Sequence, residues 1–285
     1  MPTGWFVDRF RVLSYGFRVR SNVAYADEVF SRLLGPLRAN GRGALPTYTL
    51  RDRGEGFTRR FVLHLGRSKI QEVVSPGSML EGLIADFCRR AIESTELLAI
   101  HAGVVSVDGV AAVFPAPPDA GKTTLTAGLT RVGFEFLSDE VAAIDTETCL
   151  VHPFPRPVLM DPSSVDLLDG LGDQLPPAYE AFRRSRYHLA PDDLRPGALG
   201  GISRIGLVVV PAYRGGVATT VEPMSRADTL MHLANTAFNL ERLGRPGFDA
   251  LARVARDSRG YRLAIGDLGD AIAHVADLLR SEGTR

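Results

Sequence analysis

The chain has 285 residues, enough to bury a sizeable core in one large or two modest domains. Its 33 basic and 33 acidic side chains balance, so no overall charge favours nucleic acid or an anionic membrane as a partner. The two cysteines, Cys88 and Cys149, form no metal-binding pattern and suit a reduced setting. We find neither a signal-peptide pattern nor an apolar run of membrane-spanning length. The composition therefore predicts a soluble, cytoplasmic protein.

The first 95 residues predict a small α+β module. Apolar alternation indicates strands at 9–19, 47–51 and 61–65, and helical spacing indicates helices at 25–37 and 77–93. No chemistry stands out in this part of the chain. We expect the module to dock on the rest of the protein or to receive a substrate.

Residues 96–285 predict a second domain in which strands and helices alternate around a mixed sheet. Asp108-Gly109 lies between two apolar runs and is typical of a two-residue hairpin turn. The strand at 110–114 is therefore expected to pair antiparallel with the strand before it. Further strands are predicted at 202–210 and 261–265, and further helices at 226–238, 247–257 and 268–279.

The segment Ala116-Pro-Pro-Asp-Ala-Gly-Lys-Thr123 has the spacing of a phosphate-binding loop with alanine at the first glycine. An apolar strand precedes it and a helical pattern over 122–132 follows, which is the context that such a loop needs. The loop would aim backbone N–H groups and a lysine at nucleotide phosphates. Pro117 and Pro118 have no N–H, so residues 119–124 must form the cradle. The predicted nucleotide-binding residues are Ala116, Asp119, Ala120, Gly121, Lys122, Thr123 and Thr124.

Asp119 occupies the position at which many such loops carry a second glycine. Aspartate tolerates a positive φ better than most residues, so the turn can survive. Its carboxylate would repel phosphate unless it points to solvent. The alternative is an ordinary strand–turn–helix that contains a chance Gly-Lys-Thr.

Residues 134–145 read as one strand that carries Asp139 and Glu140. Adjacent carboxylates that follow a phosphate-binding loop suit metal coordination and general-base action on an acceptor hydroxyl. The alternative is a solvent-facing acidic pair at a kink in the strand.

His101, the hairpin, the Gly-Lys-Thr loop and Ser138-Asp139-Glu140, in this order, resemble the HPr kinase/phosphorylase superfamily. The most similar branch is the HPr-kinase-related kinases found beside peptide-modifying genes, including kinases of lasso-peptide precursors. The resemblance is specific over 98–160, weaker over 201–280 and loose over 1–95. It implies an α/β fold with a P-loop kinase core of the HPr kinase/phosphoenolpyruvate carboxykinase type, joined to the smaller N-terminal module.

The resemblance also implies roles for single residues. Lys122 would bind the β- and γ-phosphates of ATP or GTP, Thr123 would bind Mg²⁺, and Asp139 would take the proton from the acceptor hydroxyl. Glu140 would help to hold the metal or Asp139, and His101 would lie close to the transferred phosphate. The later glycine-rich signature of the family has no clear counterpart, because residues 196–201 lack its metal-binding glutamate. Self-association as a homo-oligomer is a further implication.

Three arginines are candidate substrate contacts. Arg183 and Arg186, with Arg184 between them, form a basic run in a segment that could serve as a lid over phosphate or an acidic substrate. The alternative is a solvated surface run. Arg156 lies in the rigid, extended segment His152-Pro-Phe-Pro-Arg-Pro157 and suits either a phosphate or substrate clamp or a structural salt bridge.

The sequence predicts an NTP-dependent kinase that phosphorylates a serine-type hydroxyl of a peptide or small protein, such as a ribosomally made precursor peptide. One alternative is a nucleotide-binding regulatory or partner module with little catalysis, which the unusual loop favours. Another is a kinase of a small-molecule hydroxyl such as free serine. Asp139 favours an enzyme, because a pure binding module needs no base.

Overall fold

A computed structural model describes residues 5–183 and 185–283 of the chain. The chain divides into two compact units: unit 1 combines residues 1–95 with 156–193, and unit 2 combines 96–155 with 194–285. Residues 156–193, which the sequence predicts as part of the second domain, group with unit 1. The reason is long-range packing within unit 1, where the Phe182 ring meets the Phe30 ring edge-on at 5.6 Å.

Unit 1 is built on a five-stranded sheet in the order β1-β2-β3-β4-β5. Only the β2–β3 pair is parallel. The strands are β1 (Phe6–Val12), β2 (Tyr15–Ser21), β3 (Thr47–Arg53), β4 (Arg60–Leu65) and β5 (Ser68–Val73), and the helices are α1 (Ala26–Leu33) and α2 (Pro76–Ser94). The segment 156–193 adds a small hairpin, which we number below in chain order.

One face of this sheet forms the core of unit 1. Phe17 of β2 stacks on Phe87 of α2 at 5.0 Å, and both rings are fully buried. The prediction of one strand over 9–19 is wrong, because the chain turns at Leu13 and Ser14 and β2 pairs back onto β1. Leu13 adopts φ 50°, a conformation rare for a branched side chain.

Unit 2 contains eight strands and four helices within its described residues. Its elements up to residue 155 are β6 (Leu98–Val107), β7 (Val110–Pro115), α3 (Lys122–Arg131), β8 (Glu135–Ser138), β9 (Val141–Ile144) and β10 (Leu150–His152). The segment 156–193 then supplies β11 (Val158–Met160), α4 (Pro162–Asp166) and β12 (Tyr187–Leu189), and a short helix α5 (Pro191–Leu194) leads back to unit 2. The remaining elements are β13 (Ser203–Tyr213), β14 (Thr220–Met224), α6 (Arg226–Asn235), α7 (Leu240–Asp257), β15 (Arg259–Ile265) and α8 (Leu268–Gly283).

The sheet of unit 2 is mixed and has helices on both faces. Its order is β10-β9-β6-β7-β13-β15-β14, with β8 also paired to β6. The strand β7 pairs antiparallel with β6, as the hairpin signal predicts, and parallel with β13. Helices α3 and α8 pack on one face, and α6 and α7 pack on the other. The architecture is mixed α/β. In the described part of the chain no helix is both long and apolar enough to cross a membrane.

A glycine sets how closely α3 approaches the sheet. Gly103 of β6 faces Thr126 of α3, and a Cβ placed on Gly103 would lie only 2.4 Å from Thr126 Oγ1. A larger residue at this position would push the helix outward. Since α3 begins at Lys122, this contact also fixes the height of the preceding loop above the sheet.

Candidate functional site

The loop between β7 and α3 adopts left-handed backbone at two points. Asp119 has φ 63° and Gly121 has φ 88°. Glycine takes this conformation without steric cost, and aspartate tolerates it better than most residues. Gly121 is the N-cap of the ten-residue helix α3, so the first N–H groups of the helix have no side-chain acceptor at the cap. An anion is favoured at such a helix start.

Lys122 reaches back into this loop. Its side chain is buried, and Nζ donates to the carbonyl oxygens of Ala116 at 2.8 Å and Pro117 at 2.7 Å. Burial lowers the pKa of Lys122, while the carboxylates of Glu140, Asp139 and Asp119 act in the opposite direction. The ammonium group therefore lies within electrostatic range of all three acids.

Asp139 and Glu140 form a bend between two short strands. Residues 134–145 are not one strand, because β8 ends at Ser138 and β9 begins at Val141. The Ser138 hydroxyl holds the bend by accepting the N–H groups of Glu140 at 3.1 Å and Val141 at 2.9 Å. This role of Ser138 is not among the sequence predictions. Serine directly before an acidic pair is a signal for such a turn.

The bend and the start of α3 meet. Thr123 Oγ1 lies 3.4 Å from Asp139 Oδ2, where it donates to the carboxylate, and Asp139 is only 1% exposed. The structure thus brings together the lysine, the hydroxyl and the acid that the sequence analysis selected. Ala120 and Thr124 lie in the same turn of chain, on either side of the Gly121–Lys122 junction.

His101 lines the same region from β6. Its Nδ1 lies 3.2 Å from the Glu140 carbonyl oxygen and 3.4 Å from Glu140 Oε1. The ring contacts Phe238 edge-on at 5.5 Å. No local signal pointed to Phe238, because it is brought to His101 by the fold rather than by sequence proximity. His101 is therefore a direct neighbour of the acidic bend.

The donor set suits a magnesium ion that is shared with a phosphate. Among the described residues no group of three or more His, Cys, Asp or Glu side chains could hold a metal by itself. Magnesium usually takes one or two carboxylates and completes its shell with water and substrate phosphates. Asp139, Glu140 and the Thr123 hydroxyl offer such a set.

The predicted substrate arginines belong to unit 1, whereas Lys122 and Asp139 belong to unit 2. Arg183 Nη1 donates to Glu180 Oε1 and to the Tyr187 hydroxyl, both at 2.8 Å. Arg186 lies 3.7 Å from the Glu81 carboxylate. Arg156 is buried, and burial of His188, followed by the charges of Arg186 and Arg156, lowers the pKa of that histidine. Arg184 lies outside the described residues.

Comparison of the sequence with protein-family models and with curated proteins gives no match. Among solved structures the chain is similar to the Hpr(Ser) kinase/phosphatase from Coxiella burnetii. The similarity covers 64% of this chain and 94% of that chain, at 9% identity and a TM-score of 0.34. This is a member of the family that the sequence motifs resemble. At such values the likeness carries no weight for fold or activity, so the geometry of the site must support the function.

Proposed function

We propose that the protein is a nucleotide-dependent kinase that transfers a phosphoryl group to a hydroxyl. The proposal rests on the contact between the start of α3 and the acidic bend formed by Asp139 and Glu140. There Thr123 Oγ1 lies 3.4 Å from Asp139 Oδ2. A phosphate at the helix N-terminus and a hydroxyl beside Asp139 would then lie close together. Phosphoryl transfer requires such alignment and charge neutralisation more than covalent participation by the protein.

The residues of the loop would hold the triphosphate of ATP or GTP. Lys122 would exchange its bonds to the carbonyls of Ala116 and Pro117 for bonds to phosphate, and the N–H groups of residues 119–124 would point at the same oxygens. Mg²⁺ held by Thr123, Asp139 and Glu140 would neutralise charge on the phosphates. Burial disfavours the charged form of Lys122 and lowers its pKa, whereas its three acidic neighbours partly offset this effect.

Asp139 would act as the base. As the acceptor oxygen forms its bond to the γ-phosphorus, the bond from phosphorus to the nucleoside diphosphate breaks, and the hydroxyl proton passes to the Asp139 carboxylate. Glu140 would be kept in place by His101, whose Nδ1 is 3.4 Å from Glu140 Oε1. The proposed acceptor is a serine of a peptide or small protein, which rests on the sequence resemblance.

A nucleotide-binding module with little catalysis is a second candidate. It is favoured by Asp119, whose carboxylate is near enough to Lys122 to affect the pKa of that lysine. Phosphate would have to displace this interaction as well as the two loop carbonyls. Tight nucleotide binding without transfer to any acceptor is the behaviour that this candidate predicts.

The test combines binding and transfer measurements on the full chain. Purified protein is mixed with Mg²⁺, radiolabelled ATP or GTP, and either peptides encoded by neighbouring genes or free serine. We expect Asp139→Asn to keep nucleotide binding and to lose about 10²- to 10⁴-fold in transfer. Asp277→Asn, which removes an exposed carboxylate on α8, is the matched control and should behave as wild type.

Each result has a distinct meaning. Transfer to free serine alone would make the acceptor a small molecule. Nucleotide binding with no transfer to any acceptor would favour the module. Full transfer by Asp139→Asn would remove the base assignment, and absence of nucleotide binding by wild type would overturn the proposed function.

A further inference from the structure

One face of the unit 1 sheet is lined by arginines. Side chains two residues apart on a strand point to the same face, and the register places Arg9 of β1 directly opposite Arg18 of β2. The intervening residues, such as Phe10 and Phe17, are buried in the core on the other face. Six residues on three adjacent strands form what we call the arginine face: Arg9, Arg11, Arg18, Arg20, Arg51 and Arg53.

These six arginines lack acidic partners, unlike several other arginines of unit 1. Arg38, Arg59 and Arg90 each pair with an aspartate, at 2.7, 2.5 and 2.7 Å. Within residues 5–183 and 185–283, none of the six on the arginine face forms an ion pair with a carboxylate. Arg11 and Arg53 are exposed. No ion pair therefore neutralises the charge of these six side chains, and Glu72 of β5, which the register places on the same face, pairs with Lys69 instead.

The arrangement is unfavourable for an isolated sheet. Arg9 lies directly opposite Arg18, and Arg53 lies directly opposite Arg60, and like charges in directly opposed positions destabilise a strand pair. Cationic residues often protect sheet edges from aggregation, but β2 and β3 are interior strands of this sheet. Edge protection thus does not account for the arginines on the two interior strands.

The positive field extends along the sheet to β4. Burial, together with the charges of Arg51, Arg53 and Lys69, lowers the pKa of His64. His64 lies directly opposite Thr49 of β3, which is on the same face as Arg51.

We propose that the arginine face is a docking surface for an acidic, extended peptide segment. Arginines two residues apart on one strand are separated by about 6.6–6.8 Å, and alternate side chains of an extended peptide have the same spacing. Guanidinium groups bind carboxylates through paired, charge-assisted hydrogen bonds. Glutamates or aspartates at alternate positions of a peptide would therefore match arginines along a strand. The surface would serve the peptide substrate of the proposed kinase, but its binding is independent of phosphoryl transfer.

A nucleic acid fits the same face less well. Proteins that bind single strands stack the bases on exposed aromatic rings between basic residues. Here the rings of Phe10, Phe17 and Tyr48 are on the buried face, and the exposed ring of Phe57 belongs to the turn after β3 rather than to a strand between the arginines. The Trp5 ring is near the arginine face, but the Arg20 guanidinium covers it at 4.1 Å. An acidic peptide needs no stacking surface.

The experiment measures binding by the full chain without nucleotide. The probe is a short fluorescein-labelled peptide that alternates glutamate and threonine, and its neutral counterpart alternates glutamine and threonine. The test variant is Arg18→Gln/Arg53→Gln, which removes one arginine from each opposed pair. The control variant is Arg245→Gln/Arg256→Gln, which removes the same charge from exposed positions on α7. Oligothymidylate and anionic phospholipid vesicles are competing ligands.

We expect the acidic peptide to bind wild type and the control variant equally, and the test variant about tenfold more weakly. The melting temperature of the test variant should be unchanged or raised, because like-charge repulsion is relieved. A purely structural role for these arginines would lower it instead. If the test variant does not fold, Arg11→Gln/Arg53→Gln provides the same comparison.

Three outcomes would overturn the proposal. They are equal binding of the acidic and neutral peptides, equal binding by the test and control variants, and tighter binding of oligothymidylate or vesicles than of the acidic peptide. Because nucleotide is absent, these outcomes leave the proposed kinase activity untouched. Conversely, loss of transfer in Asp139→Asn leaves peptide docking intact.

Discussion

Replacing Gly103 by alanine tests how the nucleotide loop is held over the sheet. The added Cβ would lie 2.4 Å from Thr126 Oγ1 and 3.3 Å from Phe114 Cδ2. Helix α3 would have to move outward by about 1 Å to restore ordinary contact, and overpacking of this kind costs about 1–3 kcal/mol. The same movement would separate Lys122 and Thr123 from Asp139, so nucleotide binding should weaken as well.

The neighbouring Thr126 supplies the internal control. Its Oγ1 is buried and has no hydrogen-bond partner among the described residues, so Thr126→Ala should be neutral or stabilising. Removing that oxygen also removes the clash. Gly103→Ala/Thr126→Ala should therefore recover at least half of the lost stability, a coupling of about 1–2 kcal/mol.

The assay is urea denaturation followed by circular dichroism, together with nucleotide binding. Tryptophan fluorescence would mislead, because Trp5 is the one tryptophan of the chain and lies in unit 1. Unchanged stability of Gly103→Ala, or failure of Thr126→Ala to rescue it, would refute the close approach of α3 to β6 as the reason for glycine at this position.

Three further predictions concern single residues. Lys122→Met should abolish nucleotide binding. Because burial lowers the pKa of Lys122, the folded wild type binds fewer protons than its unfolded chain between that lowered pKa and 10.5. The stability of wild type should therefore rise relative to that of the variant as pH increases through this range, and melting temperatures measured across the range test this. Asp119→Gly removes a carboxylate beside Lys122 and suits the φ of 63° at this position. Nucleotide affinity should therefore rise about threefold to tenfold in titrations with a fluorescent nucleotide. A weaker affinity would contradict repulsion between the Asp119 carboxylate and the phosphates. Burial, followed by the charges of Arg186 and Arg156, lowers the pKa of His188 to about 4. The unfolded chain then binds more protons between this value and 6.5, so unit 1 should lose about 2 kcal/mol between about pH 7 and pH 5, and urea denaturation of His188→Phe should lack this loss.

Local signals predicted the central part of unit 2 well. The Asp108-Gly109 turn has two positive φ angles, and β6 and β7 pair antiparallel on either side of it. Here the turn residues and the apolar alternation predict the same hairpin, so residues close together in the sequence are enough to determine the structure. The helix predicted over 122–132 is observed as α3, Lys122–Arg131. Its start is set by Gly121, which the loop motif already contained.

The structure differs from the sequence predictions where distant residues or side-chain hydroxyl groups determine the course of the backbone. The continuous strand predicted over 134–145 is broken because the Ser138 side chain offers the backbone an alternative to sheet pairing. The turn at Leu13 and Ser14 contains neither glycine nor asparagine, which would have indicated a turn in the sequence. The assignment of 156–193 depends on contacts such as Tyr179 with Asp193 and Phe182 with Phe30, and the second of these joins segments far apart in sequence. The arginine face became visible only when the strand register aligned residues from β1, β2 and β3.

Each unit combines two separate segments of the chain, and this arrangement affects how the protein folds during translation. Unit 1 is completed only by residues 156–193, and unit 2 only by 194–285. During translation the first 95 residues therefore emerge without the ring of Phe182 that covers Phe30, or the carboxylate of Asp193 that pairs with Arg32. Domains that fold as continuous segments can finish one after another on the ribosome, whereas these two must wait for each other's sequence. A gene cut after codon 95 should consequently yield an aggregation-prone fragment rather than an autonomous module.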